Sequence, residues 1–155
     1  MYMSNCAVYP FLFDQLKIGY QDDAVTLLMR TSEPACDKGR TALTDLVFRQ
    51  VNEYLAGQRR AFDFPYILRG TEFQQRVWRT LCDIPYGETR TYGEVAAAVG
   101  NPKAYRAVGM ANRHNPILIA VPCHRVIGRN GNLVGYASGL DMKEALLQLE
   151  KSTTR

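Results

Sequence analysis

The segment Pro122-Cys123-His124-Arg125-Val126 sets a thiol beside an imidazole, a pairing from which proteins build sulfur nucleophiles. A free cysteine titrates near ~8.5, so a working one needs a proton acceptor or a positive neighbour. His124 can be that acceptor. On a regular strand adjacent side chains point to opposite faces, so thiol and imidazole meet only where Pro122 breaks the strand, or through an intervening water. A carboxylate behind the imidazole would fix its tautomer and balance its charge. Glu150 and Glu144, both in the last helical pattern, are the candidates.

The elements that must position this pair are written in the surrounding residues. The apolar run Ile117-Leu118-Ile119-Ala120-Val121 reads as a buried strand that delivers Cys123. Upstream, Thr91-Tyr92-Gly93-Glu94 has the spacing of a capping box, which starts a helix with Val95, Ala96 and Val99 inward and Gly100 at its end. Asn101 and Pro102 then cap and start another helix, since proline is preferred at the first helical position. Two short helices joined this tightly read as a helix-turn-helix. In the second, Lys103, Arg106, Met110 and Arg113 fall on one face, and Ala104, Ala107, Val108 and Ala111 on the other. The first face is basic with one apolar wedge. Small Gly109 and Ala111 would let the helix lie close to a duplex.

The rest of the chain frames these motifs. From Ala7 to Arg30, short apolar stretches broken by Gly19 and by Gln21-Asp22-Asp23 predict a hairpin or small antiparallel sheet. Thr41 caps a predicted helix with Leu43, Leu46, Val47, Val51, Tyr54 and Leu55 on its apolar face, ended by Gly57. Residues 58–70 have no clear period and read as a linker across the surface. Thr71 caps a helix with Phe73, Val77, Trp78 and Leu81 inward, stopped by Pro85 and Gly87. After a Gly-rich stretch around Tyr136, Asp141 with Glu144 caps the last helix, which carries Met142, Leu146 and Leu149.

Composition limits the function classes. A chain of 155 residues with 46% hydrophobic content can fill a core without staples. Its net charge of +4 suits an acidic partner such as DNA. Cys6, Cys36, Cys82 and Cys123 are too sparse for a disulfide framework and form no CxxC pair; with only His114 and His124 beside them, no structural metal is expected. The apolar runs fall short of the ~20 residues of a membrane span, and the N-terminus lacks a secretory pattern, so a cytoplasmic location without membrane attachment is expected.

Taken together, Thr71-x-Phe73-Gln74-x-x-Val77-Trp78, Ile84-Pro85-Tyr86-Gly87, Thr91-Tyr92, Asn101-Pro102-Lys103-Ala104, Arg106-Ala107-Val108-Gly109, Asn115-Pro116, Pro122-Cys123-His124-Arg125-Val126-Ile127 and Gly135-Tyr136 resemble the O6-alkylguanine-DNA alkyltransferase family in order and spacing. The likeness runs from about Gly70 to Lys151; the first seventy residues resemble the family's N-terminal domain only in size and general pattern. The resemblance implies an α+β fold. A small N-terminal antiparallel-sheet α/β (RNase H-like) domain with linker would occupy 1–69, and a helical, winged helix-turn-helix-like domain 70–155.

The resemblance also implies irreversible transfer of the alkyl group from O6-alkylguanine, and from O4-alkylthymine, in double-stranded DNA to Cys123. A monomer would act once, without cofactor or metal. His124 and Glu150 would activate the thiol through a water, and Asn115 would brace the segment before it. Tyr92 would protonate the departing guanine and promote base flipping, and Arg106 would fill the gap in the base stack from the minor groove. Thr91, Lys103, Met110 and Arg113 would complete the DNA contacts. Val126 would offer its carbonyl to the guanine amine, Tyr136 would line the alkyl pocket, and the Ala137 N–H would approach O6. Ala137 stands where some members carry serine, and Asn112 where some carry a larger apolar residue, which leaves the tolerated alkyl size open. Three rival classes make different demands: a non-catalytic lesion sensor typically carries tryptophan in place of Cys123, a helix-turn-helix regulator forms no covalent product, and a Cys-His hydrolase has no need of Arg106 or Tyr92.

Overall fold

The computed structural model describes residues 5–134 and 136–154, which divide into two compact units at Arg69/Gly70. In the first unit, β1 (Cys6–Phe11), β2 (Asp14–Gln21) and β3 (Ala24–Thr31) form an antiparallel sheet in that order. Asp22, at φ 54°, makes the β2–β3 turn. Ala7, Leu16, Ile18, Val25 and Leu28 are buried with Val47, Val51 and Tyr54 of α1 (Ala42–Leu55), so the sheet and the helix share one core. Thr41 caps α1 in a reciprocal box with Thr44. The Tyr9 hydroxyl is 2.8 Å from Thr44 Oγ1 and donates to Asp45 at 2.7 Å, and the Tyr9 ring stacks on Phe48.

Residues 58–69 are packed structure rather than a bare surface linker. Val25 donates to the Pro65 carbonyl and accepts from Ile67 N–H, each at 2.9 Å. Phe62, Phe64 and Tyr66 continue a run of ring contacts that starts at Tyr54. The aromatic side chains, which have no regular period in sequence, are what anchor this segment.

The second unit is mainly helical, with α2 (Glu72–Cys82), β4 (Arg90–Thr91), α3 (Tyr92–Ala98), α4 (Tyr105–Arg113), one 3-10 turn (Cys123–Arg125), β5 (Val126–Ile127) and α5 (Leu140–Thr153). β4 and β5 pair in parallel, which brings the start of α3 beside the Cys123 turn. Thr71 and Thr91 cap α2 and α3 through boxes with Gln74 and Glu94. Trp78 of α2 is buried and donates its Nε1–H to the Ala111 carbonyl of α4 at 2.8 Å, fixing those two helices together. The α+β architecture is the expected one.

Three local expectations are corrected. Asn101-Pro102-Lys103-Ala104 is a turn closed by Ala104 N–H on the Asn101 carbonyl, and α4 starts only at Tyr105, so Lys103 precedes the helix and Ala107 lies exposed. α5 starts after Gly139, which offers no side-chain cap; Asp141 sits inside the first turn, where its charge favours the helix dipole. Ile117–Val121 is buried but is not a strand, because successive turns with Ile119 at φ 69° coil it back on itself.

Candidate active site

Asn115 explains that coil. Its Oδ1 accepts from Ile117 N–H at 3.0 Å and its Nδ2 donates to the Val121 carbonyl at 2.7 Å, so one buried amide closes the loop at both ends. The apolar side chains of the loop drop into the core, and Pro122 leads into the 3-10 turn with Cys123 only 2% exposed. Asn112 of α4 donates to the Cys123 carbonyl at 3.2 Å, tying that helix to the backbone of the Cys123 turn. Neither the loop nor this link shows in apolar periodicity, which reads the segment as a strand.

His124 and Glu150 meet, with Nε2 to Oε2 at 2.7 Å, both fully buried. The open choice of carboxylate is thereby settled for Glu150, whereas Glu144 lies on the exposed side of α5. Glu150 is held from further sides. Arg125 donates Nε to Oε1 at 2.8 Å and an Nη to Oε2 at 2.9 Å, and Gly87 N–H reaches Oε1 at 3.1 Å. Gly87 has φ 84°, a backbone conformation that favours glycine, and a Cβ there would run into the Thr154 side chain, so glycine suits the turn that aims this N–H at the carboxylate. Arg125 also donates to the Ile84 carbonyl at 2.7 Å.

A second buried cation stands on the other side of the motif. Lys143 is fully buried, and its Nζ donates to the carbonyls of Val126 at 2.6 Å and Val134 at 2.9 Å. The Tyr92 hydroxyl donates to the same Val134 carbonyl at 2.8 Å. Lys143 Nζ lies 6.0 and 5.9 Å from the ring centroids of Tyr92 and Tyr136, so both rings flank it. Tyr136 is buried and Ala137 exposed, while Gly135 lies outside the described residues.

Burial sets the electrostatics. It pushes the Cys123 thiol up to about 11, against the opposing effects of the Asn115 hydrogen bond and the Lys143 charge. It holds His124 below its ordinary range despite Glu150, and raises Tyr92 so that its phenol stays protonated. It pulls Lys143 down to about 8, with Cys123 acting in the opposite sense. With Nε2–H donating to Glu150, a neutral His124 presents Nδ1 as its acceptor.

The expected DNA-contacting residues lie elsewhere on the same unit. Lys103, Arg106, Met110 and Arg113 are all exposed, Met110 at 55%, and the Arg106 guanidinium lies over the ring of Tyr105. The Thr91 hydroxyl is engaged as the α3 cap. A cavity of about 720 Å³ opens beside Tyr92, lined also by Gly93, Tyr105 and Arg129. Among the described residues, no group of three or more His, Cys, Asp or Glu could hold a metal ion, and no helix is long and apolar enough to cross a membrane.

Sequence reasoning gives Arg125, Lys143 and Gly87 no role in this site, and reads Asn112 only as a position that bears on alkyl size, not as a link to the Cys123 backbone. A signal existed for one of them. Met142, Lys143, Leu146 and Glu150 share the buried stripe of α5, and a charge on an apolar stripe marks a position that must find polar partners.

A helix pair with an exposed basic face, linked through Asn112 to a buried Cys-His-Glu arrangement, defines a DNA-binding protein with a sulfur nucleophile. Residues 72–152 match the model of the 6-O-methylguanine DNA methyltransferase, DNA binding domain. A methylated-DNA–protein-cysteine methyltransferase of Methanosarcina mazei is 60% identical over 109 residues, 70% of this chain and 69% of that one. One from Mycolicibacterium paratuberculosis is 50% identical over 135 residues, covering 83% and 82%. The crystal structure of Mycobacterium tuberculosis O6-methylguanine methyltransferase superposes with a TM-score of 0.85 at 44% identity, over 97% of this chain and 94% of that chain. The same organism's OGT in complex with DNA gives 0.83 at 46% identity, over 94% and 92%. The chain belongs to the methylated-DNA–protein-cysteine methyltransferase family.

Proposed function

We propose that this protein repairs O6-alkylguanine, and also O4-alkylthymine, in double-stranded DNA by moving the alkyl group irreversibly to Cys123. The observation that carries this reading is the buried Cys123 sulfur at the start of a turn whose next residue is tied to Glu150, on a unit that also exposes Arg106. Arg106 enters the stack from the minor groove as the lesion flips out, with Thr91, Lys103, Met110 and Arg113 on the backbone. Flipping costs a few kcal/mol, least for a badly paired lesion, whereas burying one methyl contributes only ~0.8 kcal/mol. Choice of lesion therefore comes from weak pairing and from the reaction itself.

In the transfer, the thiol proton passes through a water to His124 Nδ1, and Glu150 balances the imidazolium. The sulfur then bonds to the alkyl carbon, the carbon–O6 bond breaks, and its electron pair leaves on the base. Tyr92 protonates that base, for which its hydroxyl must leave the Val134 carbonyl; the proton given up by the thiol restores the phenol. Asn115 holds the loop, the Val126 carbonyl accepts from the guanine amine, Tyr136 lines the alkyl pocket and the Ala137 N–H approaches O6. Nothing in the site hydrolyses a thioether, so each monomer acts once. The reading places the protein in the cytoplasm. Incubation with a duplex carrying one tritiated O6-methylguanine tests it: label should move to protein and saturate at one methyl per chain, and label that stays on DNA or appears as free methanol contradicts transfer.

A further inference from the structure

The reaction puts negative charge on a sulfur sealed from water, and most of the buried charge nearby is already balanced. Arg125 meets Glu150 through two hydrogen bonds, so that pair is neutral as a unit. His124 is uncharged at rest, since burial outweighs Glu150. Lys143 differs, because its two hydrogen-bond acceptors, the carbonyls of Val126 and Val134, carry no net charge to cancel its own. Val126 is three residues after Cys123, which anchors the ammonium at the end of the turn that carries the sulfur. The flanking faces of Tyr92 and Tyr136 hold a cation without neutralising it.

We propose that Lys143 is the electrostatic partner of the Cys123 sulfur, supplying the positive charge opposite which the sulfur becomes anionic as it attacks. The proposal rests on the alkyl-transfer reading only for the identity of the electrophile. The other titratable or charged groups around the pair are Tyr92 from α3, Tyr136 from the loop before α5, His124 and Arg125 in the turn itself, and Glu150 from α5; Arg113 of α4 acts on Tyr92. None of these combines burial with an uncancelled charge at rest. The ammonium also joins the two segments that would form the pocket wall, so a donor role and a charge role must be separated by experiment.

The separation is available through pH and through the choice of substitution. A thiol that needs no neighbour reacts faster as pH rises. If the reactive form requires charged Lys143, methylation of Cys123 speeds up with pH only to about 8 and then levels off, because the thiolate gained from a thiol at about 11 is offset by the ammonium lost. Lys143→Arg keeps the charge, so its rate goes on climbing through that pH. Lys143→Gln keeps N–H donors without charge, reacts at least about tenfold more slowly at neutral pH, and climbs without levelling off.

The rate is measured with methyl iodide, an uncharged probe that needs no DNA, and Cys123 is identified by peptide mass; the same series is then run with an O6-methylguanine duplex. A methyl iodide rate that levels off above about pH 8, alongside no transfer from DNA, upholds Lys143 and overturns the repair reading. A rate that climbs steadily through that pH, with Lys143→Gln matching the parent, overturns the proposal even if DNA is repaired. Should the variants not fold, the parent protein suffices: the Lys143 ε-carbon resonance must titrate at the pH where the rate levels off, and a rate that goes on climbing through that titration overturns the proposal.

Discussion

The two units of this chain bury different chemistry. In the first, the core is apolar strand and helix surface, and among the described residues the buried polar side chains are Thr44 and Gln50. Both serve local structure, Thr44 in the α1 cap and Gln50 in hydrogen bonds to Asp63. In the second, Asn112, Asn115, His124, Arg125, Lys143 and Glu150 are all buried. An unsatisfied group of this kind costs kilocalories, so six of them are kept only where each is held by partners. Here the partners are backbone groups of the Cys123 loop and of the segments beside it, together with one carboxylate. The difference teaches where to look for function: the reactive unit is the one whose core is polar.

The contrast is broken most directly by removing a charge from each unit. Arg125→Leu leaves Glu150 buried without its guanidinium partner and should destabilise the second unit by about 3–5 kcal/mol. Lys17→Ala, which opens the partly exposed Lys17–Glu33 pair of the first unit, should leave the melting temperature almost unchanged. Equal losses in the two variants would show that burial does not distinguish the units. Next in size, methylation of Cys123 adds atoms to a packed site and should lower the stability of the second unit by about 1–3 kcal/mol. A melting temperature unchanged or raised after reaction would count against tight packing around the sulfur.

Acid sharpens the comparison further. His124 titrates lower in the folded protein than its ordinary 6.5, so folding disfavours its protonated form. Its contribution to stability is complete above 6.5 and is lost as pH falls from there toward the folded value. In the first unit the groups held down are carboxylates, Asp45 through Tyr9 and Glu33 through Lys17, with ordinary values of 3.8 and 4.5. Their contributions are lost only below those values. Fluorescence of Trp78, the chain's only tryptophan, therefore changes at a higher pH than the amide-exchange protection of β2, and simultaneous loss would contradict this order. The smallest effect belongs to Tyr9→Phe, which removes the hydroxyl shared by Thr44 and Asp45 and should cost about 1 kcal/mol by denaturant titration.

What could be read from residues alone follows the range of the forces involved. The caps at Thr41, Thr71 and Thr91 are legible because a cap and its partner lie three residues apart. The Cys-His pair is legible because its members are adjacent. The loop before it is not, since a run of five apolar residues looks the same in a buried strand and in a buried coil, and the deciding contacts come from the Asn115 side chain. The start of α4 is not legible, because proline at 102 favours a first helical turn and equally a tight turn, and the Asn101–Ala104 bond selects the latter. Glu144 and Glu150 stand six residues apart on one helix, and the exact phase of α5 decides which of them faces inward. Lys143 is hard to read from sequence because lysine is ordinarily a surface residue; its partners, at 126 and 134, are brought to it by the fold.

The central claim is that Cys123 accepts an alkyl group from DNA. Intact-mass spectrometry of the protein after mixing with a duplex bearing one O6-methylguanine, followed by peptide mapping, tests it directly. The account predicts a gain of one CH2 per chain, located on Cys123 and absent from Cys123→Ser, which still binds the duplex. An unmodified mass in spite of tight lesion binding, or a methyl group carried on Cys6, Cys36 or Cys82 instead, would contradict it.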